Sequence, residues 1–201
     1  MGIPHMNKFF QTGLVPTYCD IAKNGIVVVV DTETTGLSNH DDVVQLAVAV
    51  MVKGEEKLTK AFYIKNQVPL NGTEAQTVNG LTDEYLAEYG MDPKEVFQDF
   101  INMLKWYQSK ELPVLLVAHN LSFDYRMISN MLERNGVEPI PSGVLGCCTK
   151  SFVKALNMPQ TFLPNDRLCS CVEAFNLKGE NSHDALDDAK ACLELFKLLT
   201  D

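Results

Sequence analysis

The spacing of apolar residues changes several times along the chain, and each change predicts an element. Ile26 to Val30 are five β-branched apolar residues in a row. A strand buried on both faces has that composition, and a helix does not favour it. Residues 42–52 continue as a second strand and 58–64 as a third, with Lys53-Gly-Glu-Glu56 as the hairpin turn between them. Residues 69–80 read as loop plus a short helix, and Thr82 as the cap of another that holds Tyr85 and Leu86. At 93–107 the period lengthens to three and four. Phe97, Phe100, Ile101 and Leu104 share a face, behind Asp92 as N-cap and Pro93 at the first helical position. Residues 113–118 predict a further buried strand, and 122–135 a helix stopped by Asn135-Gly136. Short helices follow at 149–156 and 168–175, and a last helix at 184–199. Strands come first and helices follow, which predicts an α/β domain around a mixed sheet.

Composition narrows the class. With 201 residues, 46% hydrophobic and 21% charged, the chain suits one globular domain. No apolar run approaches the roughly 20 residues that span a bilayer, and no secretory signal is visible. Residues 1–24 read as an extension ahead of a domain at 25–201, and Met1-Gly-Ile-Pro-His-Met6 resembles an expression scar. The six cysteines lack zinc-site spacing, so reduced thiols in a cytoplasmic protein are expected, with Cys192 in the core. A net charge of −9 argues against broad adhesion to nucleic acid or anionic membranes and predicts local substrate contacts.

Three stretches carry chemistry. Asp31 and Glu33 end the first strand two residues apart, so they point to one face, and Gly36 then releases the chain into a turn. Paired acids at a buried strand end are costly unless a cation sits between them; the plainer alternative is a strand end with two solvated carboxylates. The strand at 113–118 runs into His119-Asn-Leu-Ser-Phe-Asp124. By itself Asp124 is a first-turn acid favoured by the helix dipole, yet it falls where α/β proteins usually bind ligands. In His183-Asp-Ala-Leu-Asp-Asp188, helical geometry separates neighbours. Asp187 joins Lys190, Glu194 and Lys197 on a charged, solvated stripe, whereas Asp188 heads a stripe with Ala191, Cys192, Leu195 and Leu199 that faces inward. His183 falls just before that helix, as a cap, a surface residue or a group leaning over a site.

Together, Asp31-Thr-Glu33, His119-Asn-x-x-Phe-Asp124 and His183-x-Ala-x-x-Asp188 resemble, in order and spacing, the three motifs of the DEDDh 3′–5′ exonucleases. That family includes the epsilon proofreading subunit of DNA polymerase III, exonuclease X and ribonuclease T. The resemblance runs from Gly25 to the C-terminus; Asn79-Gly-Leu-Thr-Asp-Glu-Tyr-Leu86 and Cys148-Thr149 add to it. It implies an RNase H-like fold with a five-stranded mixed sheet flanked by helices. It further implies that Asp31, Glu33, Asp124 and Asp188 hold two Mg²⁺ or Mn²⁺ ions about 3.5–4 Å apart. His183 is then the general base, and nucleoside 5′-monophosphates are the products. By matched position Thr35, Gly36, Leu37, Val78, Asn79, His119 and Phe123 hold the terminal nucleotide. Asn79 stands where the family often has a histidine, so its contacts carry no charge.

The expected substrate is a single-stranded or frayed 3′ end of DNA, with an exoribonuclease as the alternative because the motifs do not read the sugar. A non-catalytic module that binds nucleic acid or a polymerase is the other rival, disfavoured because all five active-site positions are filled. The chain ends two residues after the last predicted helix, which favours a freestanding enzyme, with a DNA polymerase as a further candidate partner.

Overall fold

The computed structural model describes residues 15–156, 163–177 and 184–201. Five strands form one mixed sheet: β1 (Ile26–Thr34), β2 (Val43–Val52), β3 (Glu55–Tyr63), β4 (Val114–Ala118) and β5 (Leu145–Cys148), in the order β3-β2-β1-β4-β5. β1 pairs antiparallel with β2 and parallel with β4; β2 and β3 are antiparallel, β4 and β5 parallel. This is the RNase H-like sheet that the motifs imply. The β2–β3 hairpin turns through Lys53 and Gly54, both at positive φ (50° and 80°). Two such residues make the tight turn whose twist matches its strands.

Helices cover both faces of the sheet. Ile26, Val28 and Val30 of β1 pack with α4 (Pro93–Gln108) and α5 (Leu121–Arg134). Val27 and Val29 face the other way, against α1 (Val15–Asn24) and α8 (Ala185–Thr200). An uninterrupted Ile-Val run is what a strand covered on both faces requires, and each such side chain contributes about 1.5–3 kcal/mol on burial. Between them lie the short helices α2 (Glu74–Asn79), α3 (Asp83–Tyr89), α6 (Thr149–Leu156) and α7 (Leu168–Phe175). Among the described residues no helix is long and apolar enough to cross a membrane.

Two elements went unread in the sequence. Residues 15–24, expected as part of an extension, form α1, and its Ile21 and Ala22 are buried against the sheet. Gly25 closes that helix: a Cβ there would lie 2.8 Å from Ile21 Cγ2 and 2.9 Å from the Pro113 carbonyl. β5 is the other, a four-residue edge strand whose Leu145 and Gly146 are exposed.

Candidate active site

The site is built where β1 outruns its neighbour. β4 pairs with β1 only as far as Val29↔Val117, so β1 projects beyond β4 from Val30 onward. The first turn of α5 lies beside that projection. Asp31 and Glu33 follow the face of Val27 and Val29, toward α8. Thr32 lies in the opposite phase and donates from Oγ1 to Asp124 Oδ1 at 2.9 Å. The β1–β2 register shifts between Glu33 and Thr34. Such a bulge re-aims side chains at a strand end.

α8 brings in Asp188. Its N-cap, Asp184, accepts from the backbone N–H groups of Leu186 and Asp187. Gln45, opposite Glu33 in the ladder and 1% exposed, donates from Nε2 to Asp184 Oδ2 at 2.9 Å. The same side chain accepts the Ala185 N–H at 3.0 Å. Both ends of one buried amide thus fix the start of α8 against β2. Asp188, one turn on, faces inward at 8% exposure, while Asp187 pairs with Lys190 at 3.0 Å on the outer side.

Ligand atoms of Asp31, Glu33 and Asp188 all lie within 4.8 Å of one another. Asp124, 4% exposed, stands outside that tight set but is the strongest of the charges acting on Asp31. Burial, then Asp124, Asp188 and Glu33, hold the Asp31 carboxyl well above the usual range. Burial followed by Asp188 and Asp184 pushes Glu33 to about 8, and the neighbouring Asn79 amide pulls the other way. Burial raises Asp124 to about 7 against the opposing Thr32 hydrogen bond. Burial, with Asp184 and Asp187 behind it, raises Asp188 to about 7. Asp188 Oδ1 is buried and has no hydrogen-bond partner among the described residues. Four acids that repel one another, with an orphaned oxygen among them, are the donor set that a hard divalent cation accepts.

Beside the acids opens a pocket of about 450 Å³, lined by Thr32 to Leu37, Thr73 to Ala75, Val78, Asn79 and Phe123. The Gly36 turn forms one wall. A Cβ on Gly36 would stand 2.6 Å from an Asp41 carboxylate oxygen, so a larger residue there has to displace that carboxylate, which holds the Ser38 N–H. Arg126 ties this wall to α5 by donating to Asn39 Oδ1 at 2.6 Å and to the Leu37 carbonyl at 3.1 Å, with its guanidinium over the Phe123 ring. Leu37 is 77% exposed and free to meet a ligand. Asn79 donates to the Thr34 carbonyl at 3.3 Å and accepts the Leu81 N–H at 3.1 Å.

His119 is placed elsewhere. Its Nδ1 meets Thr149 Oγ1 at 3.1 Å and its Nε2 meets the Asp166 carbonyl at 2.9 Å. Nε2 must therefore carry the proton it donates, and neither ring nitrogen is turned to the pocket. Burial lowers its pKa. The two bonds make His119 a strut that holds the 163–167 segment to the end of β4. His183 lies outside the described residues. Gln45 escaped the sequence reading; its signal is a lone amide inside the apolar run of β2.

Residues 28–196 match the sequence model of the RNase T family, described as "Exonuclease". The chain is 33% identical over 192 residues to the PolC-type DNA polymerase III of Listeria innocua, covering 92% of this chain and 11% of that protein. Against the PolC-type enzyme of Bacillus cereus the identity is 33% over 177 residues, with 87% and 11% covered. The chain thus spans about a tenth of the length of these relatives. In fold it is similar to Escherichia coli exonuclease I in complex with a dT13 oligonucleotide: TM-score 0.73, 19% identity, 88% of this chain and 41% of that one. A second exonuclease I structure gives a TM-score of 0.74 at 20% identity, with 88% and 41% covered. Motifs, sheet and family match agree: the chain belongs to the DEDDh family of 3′–5′ exonucleases.

Proposed function

We propose that this domain removes nucleotides from the 3′ end of DNA, and that Asp31, Glu33, Asp124 and Asp188 hold two divalent ions, Mg²⁺ or Mn²⁺. One observation carries the reading: half-buried carboxylates from β1 and a buried one from α8 converge within 4.8 Å, with an unpartnered oxygen, beside a pocket of nucleotide size. When bound, the ions supply Lewis acidity toward the phosphate and toward the attacking water. The rest is done by the chain. The Gly36 turn, Val78 and Phe123 hold the terminal nucleotide, and Leu37 with Phe123 offers surface on which a base stacks. Asn79 fixes the Thr34 carbonyl at the pocket floor and biases Glu33 toward its charged form. Thr32 does the same for Asp124. His183, by its position in the motif, takes the proton of the attacking water.

DNA as substrate and a DNA polymerase as partner are supported by the PolC-type relatives and by the oligonucleotide in the similar exonuclease I structure. A cytoplasmic setting belongs to the same reading; all six thiols are free. The test is product analysis with matched DNA and RNA oligomers in Mn²⁺. Release of deoxynucleoside 5′-monophosphates, with RNA cut at least tenfold more slowly, is expected. Equal rates, or 3′-phosphate products, would overturn it.

A further inference from the structure

We infer that a second cavity, on the far side of the α5 first turn, is a binding site for the backbone phosphates of the nucleic-acid strand upstream of the cleaved bond. The inference rests on the exonuclease reading above. The cavity encloses about 500 Å³ between Leu121, Ser122 and Tyr125 of α5 and Lys150 and Lys154 of α6. The lysines are four residues apart and so share one helical face. Neither has an ion-pair partner among the described residues, although the chain carries a net charge of −9. Asp166 is the one acid in the lining, and its carbonyl is held by His119. Two ammonium groups against one carboxylate leave the cavity positive.

Its place in the fold gives the ligand. At about 100° per residue, Leu121, Ser122 and Tyr125 form one face of α5, and Phe123 stands about 150° round from its centre. Asp124 lies on the longer way round, about 100° from Phe123 and about 110° from that centre. The pocket with Phe123, the acids with Asp124 and the lysine cavity therefore follow one another around a single helical turn. A strand whose 3′ nucleotide fills the first and whose scissile phosphate meets the second leaves over the third. Tyr125, 48% exposed, offers a ring for a base there, beside ammonium groups for phosphate. Local cations of this kind let an acidic protein hold a polyanion without general adhesion.

The test compares Lys150→Ala/Lys154→Ala with wild type on two substrates in Mn²⁺. One is a single-stranded (dT)10 oligomer; the other is the p-nitrophenyl ester of thymidine 5′-monophosphate, which has no upstream phosphate. KM for the decamer should rise about tenfold and its salt dependence should flatten, at about 0.7 in log–log slope per lost phosphate contact. kcat and hydrolysis of the ester should stay within twofold, and Lys150→Arg/Lys154→Arg should restore KM. An unchanged KM for the decamer overturns the proposal, as does an equal loss on both substrates. If wild type cleaves neither substrate, the exonuclease reading fails by itself. The cavity is then judged by fluorescence anisotropy of labelled (dT)10: unaltered affinity in the double variant refutes it, and a tenfold loss supports it.

Discussion

Removing one acid should stabilise the ion-free protein, and by an amount that depends on pH. Asp188 is buried, its Oδ1 lacks a partner, and its pKa rises from 3.8 to about 7. A carboxyl raised in the folded state favours folding only while protonated. Its contribution is intact below about pH 4 and lost as pH rises through about 7. That displacement corresponds to about 4 kcal/mol, or about 2–4 kcal/mol once residual contact with water is allowed for. Asp188→Asn keeps the shape and removes the charge. In EDTA at pH 8.5 the variant should melt about 5–15 °C above wild type, since 1 kcal/mol moves a domain of this size by roughly 2–4 °C. At pH 5 the gain should shrink to about a third, because wild type is then mostly protonated at this position when folded. Circular dichroism melts at the two pH values suffice. A variant less stable at pH 8.5, or a gain equal at both pH values, would refute the view that the acids are held together against their own repulsion. Saturating Mn²⁺ should reverse the order, since a ligand at 100 times its Kd adds about 2.7 kcal/mol to the protein that binds it.

Other expectations follow from single residues. Asp188→Ala should abolish hydrolysis while Asp187→Ala, at a residue paired with Lys190 on the outer side of α8, should keep rates within about threefold; equal inactivity would misplace α8. Asn79→Ala should raise KM by roughly three- to tenfold through loss of the bonds that shape the pocket floor, and unchanged steady-state kinetics would remove it from the site. His183→Ala should lower the single-turnover rate by about 10²–10⁴ with Mn²⁺ affinity retained, and the acidic limb of the pH profile assigned to histidine should vanish. Near-normal turnover would leave it no role as base.

The strands were legible wherever periodicity was long. β1 and β2 stand out because both of their faces are buried, and α4 because one face is apolar and its cap, Asp92, accepts from Lys94 and Glu95 as expected. β5 was hidden because four residues including a glycine carry no period, and its strand character comes from pairing with β4. α1 was hidden because Tyr18, Ile21 and Ala22, which dock it among the described residues, are too few to print a stripe. Within the site, Asp31 and Glu33 follow from a period of two, and the inward turn of Asp188 from a period of 3.6. What no local pattern holds is contact between distant elements. The Gln45–Asp184 clamp, the Thr32–Asp124 bond and the turning of His119 toward Thr149 each join residues far apart in sequence. The lysine cavity is of the same kind, assembled from helices separated by β5.

The central claim is that converging acids, loaded with divalent ions, cut a strand from its 3′ end. The direct measurement follows one single-stranded DNA oligomer, labelled at the 3′ end in one sample and the 5′ end in another, with EDTA and then with excess Mn²⁺. In Mn²⁺ the 3′ label should leave at once as a mononucleotide while the 5′-labelled strand shortens stepwise; in EDTA both should stay intact. Undiminished cleavage in EDTA, or prompt release of the 5′ label, would contradict the account.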